Sequence, residues 1–236
     1  MNKYPTARIE QAVAAICPDI AMRVASRRPE SSERRLWVEF STCLLSSQVP
    51  YPLAVAAAEA LDRTGVLHDR RAEEDEIFER ITRTLHQPLL VAGRRRFYRF
   101  PTARARQLAA SRAEVTRFAG NLQPLLLSFG DGAAARAWIV ANLPGIGPKQ
   151  ASMFLRNSGV SYDLAILDRH VLNYMAALSI QEELKPFRSG LAQYCRYEVR
   201  LRSYANEIGF PVGLLDWAIW IVMRVASRKD LEIAIP

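Results

Sequence analysis

The stretch that most constrains this chain is Leu143-Pro144-Gly145-Ile146-Gly147-Pro148-Lys149, set between two helix-like segments, Ala133 to Asn142 and Pro148 to Asn157. Gly145 and Gly147 have no Cβ and can take positive φ, so the backbone can reverse within a few residues while Ile146 anchors the turn into a core. Proline is tolerated in the first turn of a helix, where the N–H it lacks has no intrahelical partner, so the second helix begins at Pro148, with Gly159 just past its end. The open N–H groups and partial positive charge of that helix start can receive a phosphate oxygen. Such a contact positions a protein on DNA and does not read bases. A lone Gly-x-Gly marks an ordinary turn; the whole string with a helix on each side is far more specific.

Helical periodicity continues along the chain. Leu36, Trp37, Phe40, Cys43, Leu44 and Leu45 fall near one stripe, and an alanine-rich helix from Ala54 to Leu61 follows a break at Pro50 to Pro52. Helices also fit Glu74 to Leu85, Thr102 to Ala110 and Arg112 to Leu127, with Pro124 able to kink or split the last. Asp168 stands at an N-cap position ahead of Arg169 to Leu178, and Ser189 to Ile208, closed by Gly209, and Gly213 to Ser227 complete the set. No stretch keeps a period-two alternation, so no substantial sheet is expected.

Lysine and arginine number 32 against 24 acidic residues, a formal net charge of +8. That balance suits a polyanion such as nucleic acid, although a basic protein without such a partner would carry the same charge. Cys17, Cys43 and Cys195 are too few and too scattered for a zinc site or a four-thiolate iron-sulfur cluster. Their spacing also argues against a disulfide framework, and the N-terminus lacks an apolar signal core, so a reducing cytoplasm is expected. The most apolar run, Val212 to Ala226, is interrupted by Asp216 and Arg224 and falls short of the roughly 20 residues a membrane span needs. It reads as a buried helix, with no membrane partner.

The hairpin string resembles the helix-hairpin-helix element of the DNA glycosylase superfamily that includes endonuclease III, and the resemblance makes Lys149 the nucleophile of a bifunctional enzyme. The chemistry is consistent with that role. An ordinary lysine, with a pKa of about 10.4, is protonated at neutral pH. The positive end of a helix and a partly desolvated cleft both disfavour an ammonium, and the free amine is the form that attacks a sugar carbon. Asp168 follows after 168 − 149 = 19 residues, within Leu164-Ala165-Ile166-Leu167-Asp168-Arg169-His170-Val171-Leu172. This segment resembles the superfamily's second signature, which makes Asp168 the assisting carboxylate. Capping and catalysis are compatible: N–H groups that hold a carboxylate ionised leave it able to stabilise an oxocarbenium-like sugar.

The run Gly147-Pro148-Lys149-Gln150-Ala151-Ser152-Met153-Phe154-Leu155-Arg156-Asn157 is similar to the archaeal and bacterial type-2 branch of 8-oxoguanine DNA glycosylase/AP lyases. Two more stretches fit that branch: Leu44-Leu45-Ser46-Ser47-Gln48, and Arg95-Arg96-Phe97-Tyr98-Arg99-Phe100 leading into Ala103-Arg104-Ala105-Arg106. The resemblance spans Leu36 to Ser227. This chain departs from the branch at Met153, where many members carry histidine, in its longer first 35 or so residues, and in its continuation through Arg228 to Pro236.

The resemblance implies an all-α fold of two helical subdomains with a helix-hairpin-helix motif flanking an active-site cleft. One subdomain, 53–179, carries the motif over 133–158; the other joins 1–52 to 180–236. The implied reaction is excision of 8-oxoguanine from double-stranded DNA through a Schiff base on Lys149, followed by β-elimination, by a monomer that needs no metal or organic cofactor. A monovalent cation bridging hairpin carbonyls to phosphate is compatible with it. Gly145, Gly147, Gln150, His170 and Arg96 are candidates for the DNA backbone, His170 having the alternative of merely facing the helix surface. Gln48, Met153, Phe154, Asp216, Trp217 and Trp220 are candidates for the base pocket or for filling the gap a flipped base leaves. Asp216 interrupts an apolar helix, so either an arginine satisfies it or it awaits a base N–H; the tryptophans serve equally as core. The arginines Arg94, Arg95, Arg96 and Arg99 form a backbone-binding strip or a solvated edge, with Phe97 and Phe100 packing inside. The alternatives are the same chemistry on another damaged or modified base, and a non-catalytic helix-hairpin-helix DNA-binding protein.

Overall fold

The computed structural model describes residues 5–69, 71–181 and 190–226. The order is α1 (Thr6–Ala25), α2 (Glu33–Leu45), α3 (Tyr51–Thr64), a 3₁₀ turn (Val66–His68), α4 (Glu74–Leu85), β1 (Leu89–Val91), β2 (Arg94–Arg96), α5 (Pro101–Ala119), α6 (Leu122–Leu127), α7 (Gly132–Asn142), α8 (Pro148–Asn157), α9 (Arg169–Ala177), α10 (Leu191–Glu207) and α11 (Val212–Ala226). The expected starts or ends at Ser189 and Ser227, and the extension from Arg228 to Pro236, lie outside the described residues.

The chain divides into two compact units, one of Pro29–Val160 and one of Met1–Arg28 with Ser161–Pro236. The expected boundaries at 52/53 and 179/180 therefore move to 28/29 and 160/161. Packing explains the shift: α2 lies against α3, α5, α6 and α8 and so belongs with the hairpin, whereas α9 lies against α11.

In the unit of Pro29–Val160, Phe40, Leu44, Leu61, Ile77, Ile81, Leu85, Leu108, Leu122 and Phe154 are fully buried. Helix α4 shows how the sequence sets this up, with Ile77, Ile81 and Leu85 on one face, Glu74, Asp75 and Glu76 at its positive end and Arg83 in its last turn. The segments read as Thr102 to Ala110 and Arg112 to Leu127 divide elsewhere. Ser111 and Arg112 are buried within one continuous α5, the break falls at Gly120 (φ +79), and Pro124 sits in the first turn of α6 where its missing N–H is no loss. Glu33, from α2, completes that start by accepting from the Leu122 and Gln123 N–H groups at 2.8 and 3.0 Å. Strands β1 and β2 form a short antiparallel ribbon, Leu89 opposite Arg96 and Val91 opposite Arg94, turned by Ala92 and Gly93, both at positive φ. Beyond it, Phe97 is exposed and Tyr98 is buried, the reverse of the expectation for Phe97; Phe100 is half-buried beneath the Arg99 and Arg104 guanidiniums.

In the other unit, Ile9, Val13, Cys17 and Ile20 make the buried stripe of α1, which packs on α11. The apolar run Val212 to Ala226 is the core helix of this unit, with Leu214, Leu215, Ala218, Ile219 and Met223 all buried. Among the described residues no single helix is long and apolar enough to cross a membrane.

Candidate active site

The hairpin lies in the unit of Pro29–Val160, between α7 and α8. Gly145 has φ +82, which favours glycine, and a Cβ there would also have to displace the end of the Gln107 side chain on α5. Gly147 differs from the expectation of positive φ. It is extended, φ −96 and ψ 177, because it is the N-cap of α8 and its carbonyl accepts the first helical bond from Ala151 N–H at 2.9 Å. A Cβ there would meet only the Gln150 Oε1, at 3.3 Å. Ile146 is buried, as the turn requires. Lys149 is the second residue of α8 and half-buried, and among the described residues its amine has no hydrogen-bond or ion-pair partner. The N–H groups of Lys149 and Gln150 stand at the open end of the helix.

Helix α2 backs this helix. Phe40 meets Phe154 edge to face, with ring centroids 5.5 Å apart, so Phe154 belongs to the core and offers no surface to a base. Met153 keeps a narrow exposed edge, 9%. Glu39 Oε1 accepts from Asn157 Nδ2 at 2.7 Å and from Cys43 Sγ at 3.3 Å. Burial, reinforced by Glu39, pushes the Cys43 thiol well above its ordinary range.

Gln48 follows the C-terminus of α2, exposed and at φ +61, a left-handed conformation that strains a residue with a Cβ. Its turn is fixed from below: the Tyr98 hydroxyl donates to Leu45 O at 2.7 Å, and Arg104 donates to Ser47 O at 3.4 Å. Arg104 also donates to Gln107 Oε1 at 2.6 Å, and Gln107 is the side chain packed on Gly145. Helix α5 thus ties the Gln48 turn to the hairpin through Arg104 and Gln107. Neither was singled out by the sequence, where Arg104 is one basic residue in an Ala-Arg repeat and nothing marks it as turned inward. Arg94, Arg95 and Arg96 are exposed along β2.

Asp168 belongs to the other unit. It caps α9 as expected, its Oδ1 accepting from the His170 and Val171 N–H groups at 2.8 and 3.0 Å. The residue is half-buried, and among the described residues Oδ2 accepts no hydrogen bond. His170 is half-buried, its Nδ1 enclosed and unpartnered among the described residues. Asp216 on α11 is only 1% exposed, and its carboxylate accepts from the Ile166 N–H. The sequence flagged it as a carboxylate in need of a partner, and one such partner is the backbone amide two residues before Asp168. Trp217 is half-buried against the core of this unit, and Trp220 is half-buried with the Arg224 guanidinium 4.9 Å from its ring centre.

Over residues 22–210 the chain matches the family described as 8-oxoguanine DNA glycosylase. The 8-oxoguanine DNA glycosylase/AP lyase of Saccharolobus solfataricus is 30% identical over 210 residues, covering 86% of this chain and 92% of the relative. That of Korarchaeum cryptofilum is 29% identical over 203 residues, covering 86% and 87%. Among solved structures, the 8-oxoguanine DNA glycosylase of Thermotoga maritima superposes with a TM-score of 0.66 at 27% identity, covering 92% of this chain and 94% of that one. The Methanocaldococcus jannaschii 8-oxoguanine glycosylase/lyase, in complex with a 15mer DNA containing 8-oxoguanine, shares the fold with a TM-score of 0.58 at 22% identity, covering 94% and 92%.

Proposed function

Because the chain belongs to the 8-oxoguanine DNA glycosylase family, we propose that it is a bifunctional glycosylase/AP lyase that removes 8-oxoguanine from double-stranded DNA with Lys149 as nucleophile and Asp168 as assisting carboxylate. The observation that carries the assignment of roles is the placement of Lys149 at the open start of α8, immediately behind a glycine turn, with an amine that has no hydrogen-bond or ion-pair partner among the described residues.

In this reaction the Lys149 amine attacks C1′ of the damaged nucleotide and the glycosidic bond breaks, its electron pair leaving with the base. Positive charge builds on the sugar as the base departs. Asp168 steadies it through Oδ2, while Oδ1 stays fixed to the start of α9. Ring opening gives a Schiff base between Lys149 and C1′. Loss of a proton from C2′ then expels the 3′ phosphate, and water releases the lysine. Each step uses the amine, the carboxylate and water, so the chemistry calls for no metal or organic cofactor; a monovalent cation joining hairpin carbonyls to phosphate would serve binding only.

The open amides of Lys149 and Gln150, in the turn shaped by Gly145 and Gly147, suit a phosphate oxygen, and the exposed Arg96 and its neighbours suit the backbone beyond it. His170 is assigned the backbone beside Asp168. For the extruded base we retain Met153, Trp217 and Trp220 as lining, and Gln48 for the gap left in the duplex; its strained turn matches the cost that functional residues bear elsewhere. The enzyme acts as a monomer in the cytoplasm, which sedimentation with and without lesion duplex checks for the assembly.

Substrate choice is tested by single-turnover excision from duplexes carrying 8-oxoguanine, thymine glycol, 3-methyladenine or uracil. Release of 8-oxoguanine at least about a hundredfold faster than of the other three is expected, since a pocket built to hydrogen-bond one base leaves polar groups unpaired with another. Equal or faster release of any of the others contradicts the assignment.

A further inference from the structure

Residues 162–168, which deliver Asp168 to the start of α9, form no helix or strand of their own, so their backbone N–H groups need partners from elsewhere. Three consecutive groups find three different side chains. Ala165 N–H donates to Glu198 Oε1 at 2.7 Å, Ile166 N–H to the Asp216 carboxylate, and Leu167 N–H to the Tyr194 hydroxyl at 2.9 Å. That hydroxyl in turn donates to Ala165 O at 2.7 Å, and Asp168 N–H closes a tight turn onto Ile166 O at 2.8 Å. At the other end of the segment, Gly213 N–H donates to Tyr162 O at 3.0 Å, and a Cβ on Gly213 would collide with the Tyr162 and Leu164 carbonyls.

Tyr194 and Glu198 stand one helical turn apart on α10, Asp216 is in the second turn of α11, and the three are 2%, 4% and 1% exposed. Burying two carboxyl groups is costly unless hydrogen bonds compensate them. A connector whose only task was to join two helices would run over the surface with its amides in water and apolar side chains beneath it. Here the amides face inward, each onto a different side-chain acceptor, and the stretch so fixed ends on Asp168.

We propose that Tyr194, Glu198 and Asp216 form a clamp that positions Asp168: by holding the 165–167 backbone they fix the direction in which the open carboxylate oxygen faces the sugar. The proposal rests on the reading of Asp168 as the carboxylate that stabilises the departing base's sugar. Such stabilisation depends on a preset geometry, and a displacement of about 1 Å is enough to lose about a hundredfold in rate. The three are positioning residues, acting through Asp168 without touching DNA.

The test compares Tyr194→Phe, which removes the bonds to Leu167 N–H and Ala165 O and keeps the ring, with Glu198→Leu, which removes the acceptor, and Glu198→Gln, which keeps an acceptor oxygen. Three quantities are measured: single-turnover release of 8-oxoguanine at saturating duplex, duplex Kd, and borohydride trapping on a preformed abasic duplex, where no glycosidic bond remains to be broken. Tyr194→Phe and Glu198→Leu are expected to slow base release about tenfold or more. Kd and abasic trapping should stay within about threefold of wild type, and Glu198→Gln should recover most of the rate lost in Glu198→Leu. Introduced into Asp168→Asn, Tyr194→Phe should add less than about twofold, because the group it positions is already gone. The clamp is overturned by wild-type base release in Tyr194→Phe, by a full multiplicative loss in the Asp168→Asn background, or by an equal fall in base release and abasic trapping, which would mark a general loss of structure. If Glu198→Leu does not fold, Tyr194→Phe decides alone. A wild-type protein that traps on abasic DNA yet releases no 8-oxoguanine sinks the underlying substrate reading first, and the clamp proposal with it.

Discussion

At the scale of single residues, the two glycines of the hairpin look alike in sequence and are different in kind. Gly145 sits at φ +82 against Gln107, whereas Gly147 is extended and merely begins a helix. Gly145→Ala should therefore lose about 2 to 3 kcal/mol from the left-handed backbone and the displaced Gln107, against less than about 1 kcal/mol for Gly147→Ala. Urea denaturation of both variants checks the order; equal losses would contradict it. The N-cap role of Asp168 was legible because an N-cap is a local event: an aspartate, two and three residues from the amides it accepts from, announces itself in sequence. Tyr194 and Glu198 were not, since their partners lie 27 and 33 residues away and a tyrosine or glutamate in a helix carries no sign of what it faces. Asp216 shows the intermediate case, in which its isolation among apolar neighbours flagged a burial problem but not the amide that solves it.

At the scale of elements, the helices with local punctuation were readable and those defined by distant packing were not. Glu74–Leu85 and Pro148–Asn157 begin and end where charge, proline and glycine place them. Helix α5 was cut at Ser111 and Arg112 because a polar pair reads as a boundary, although both side chains are buried in the finished unit. Helix α1 went unseen: Pro18 interrupts its stripe of Ile9, Val13, Cys17 and Ile20, and the surface that stripe covers belongs to α11, some two hundred residues further on. The three-residue strands of the ribbon are too short to show any period. The role of α5 as a link is likewise a matter of tertiary contact. Arg104 bonds Ser47 and Gln107 at once, so Arg104→Ala should loosen the Gln48 turn and the hairpin together, weakening lesion-duplex binding by about tenfold while costing roughly 1 to 2 kcal/mol of stability. Arg104→Lys should restore little, because an ammonium cannot replace a planar fork reaching two acceptors. Titration of a lesion duplex measures this; unchanged affinity in Arg104→Ala would separate the two elements.

At the scale of the whole molecule, the mainly helical fold and the positive surplus could be read from the residues, and Lys149 and Asp168 came forward through the family resemblance of their two segments, but where the chain divides could not be read. The boundaries moved because contacts, not sequence proximity, assign α2 to the hairpin's unit and α9 to that of α11. As a result Lys149 and Asp168 belong to different units. The formal charge of +8 favours any duplex, whereas the proposed chemistry rests on a single amine. The most direct measurement is borohydride reduction of the intact protein on an 8-oxoguanine duplex, with wild type beside Lys149→Gln and the attachment site located by mass spectrometry. The account predicts a wild-type adduct on Lys149 and a loss of at least about a hundredfold in adduct from the variant; an equal adduct from both, or one attached to another lysine, would contradict it.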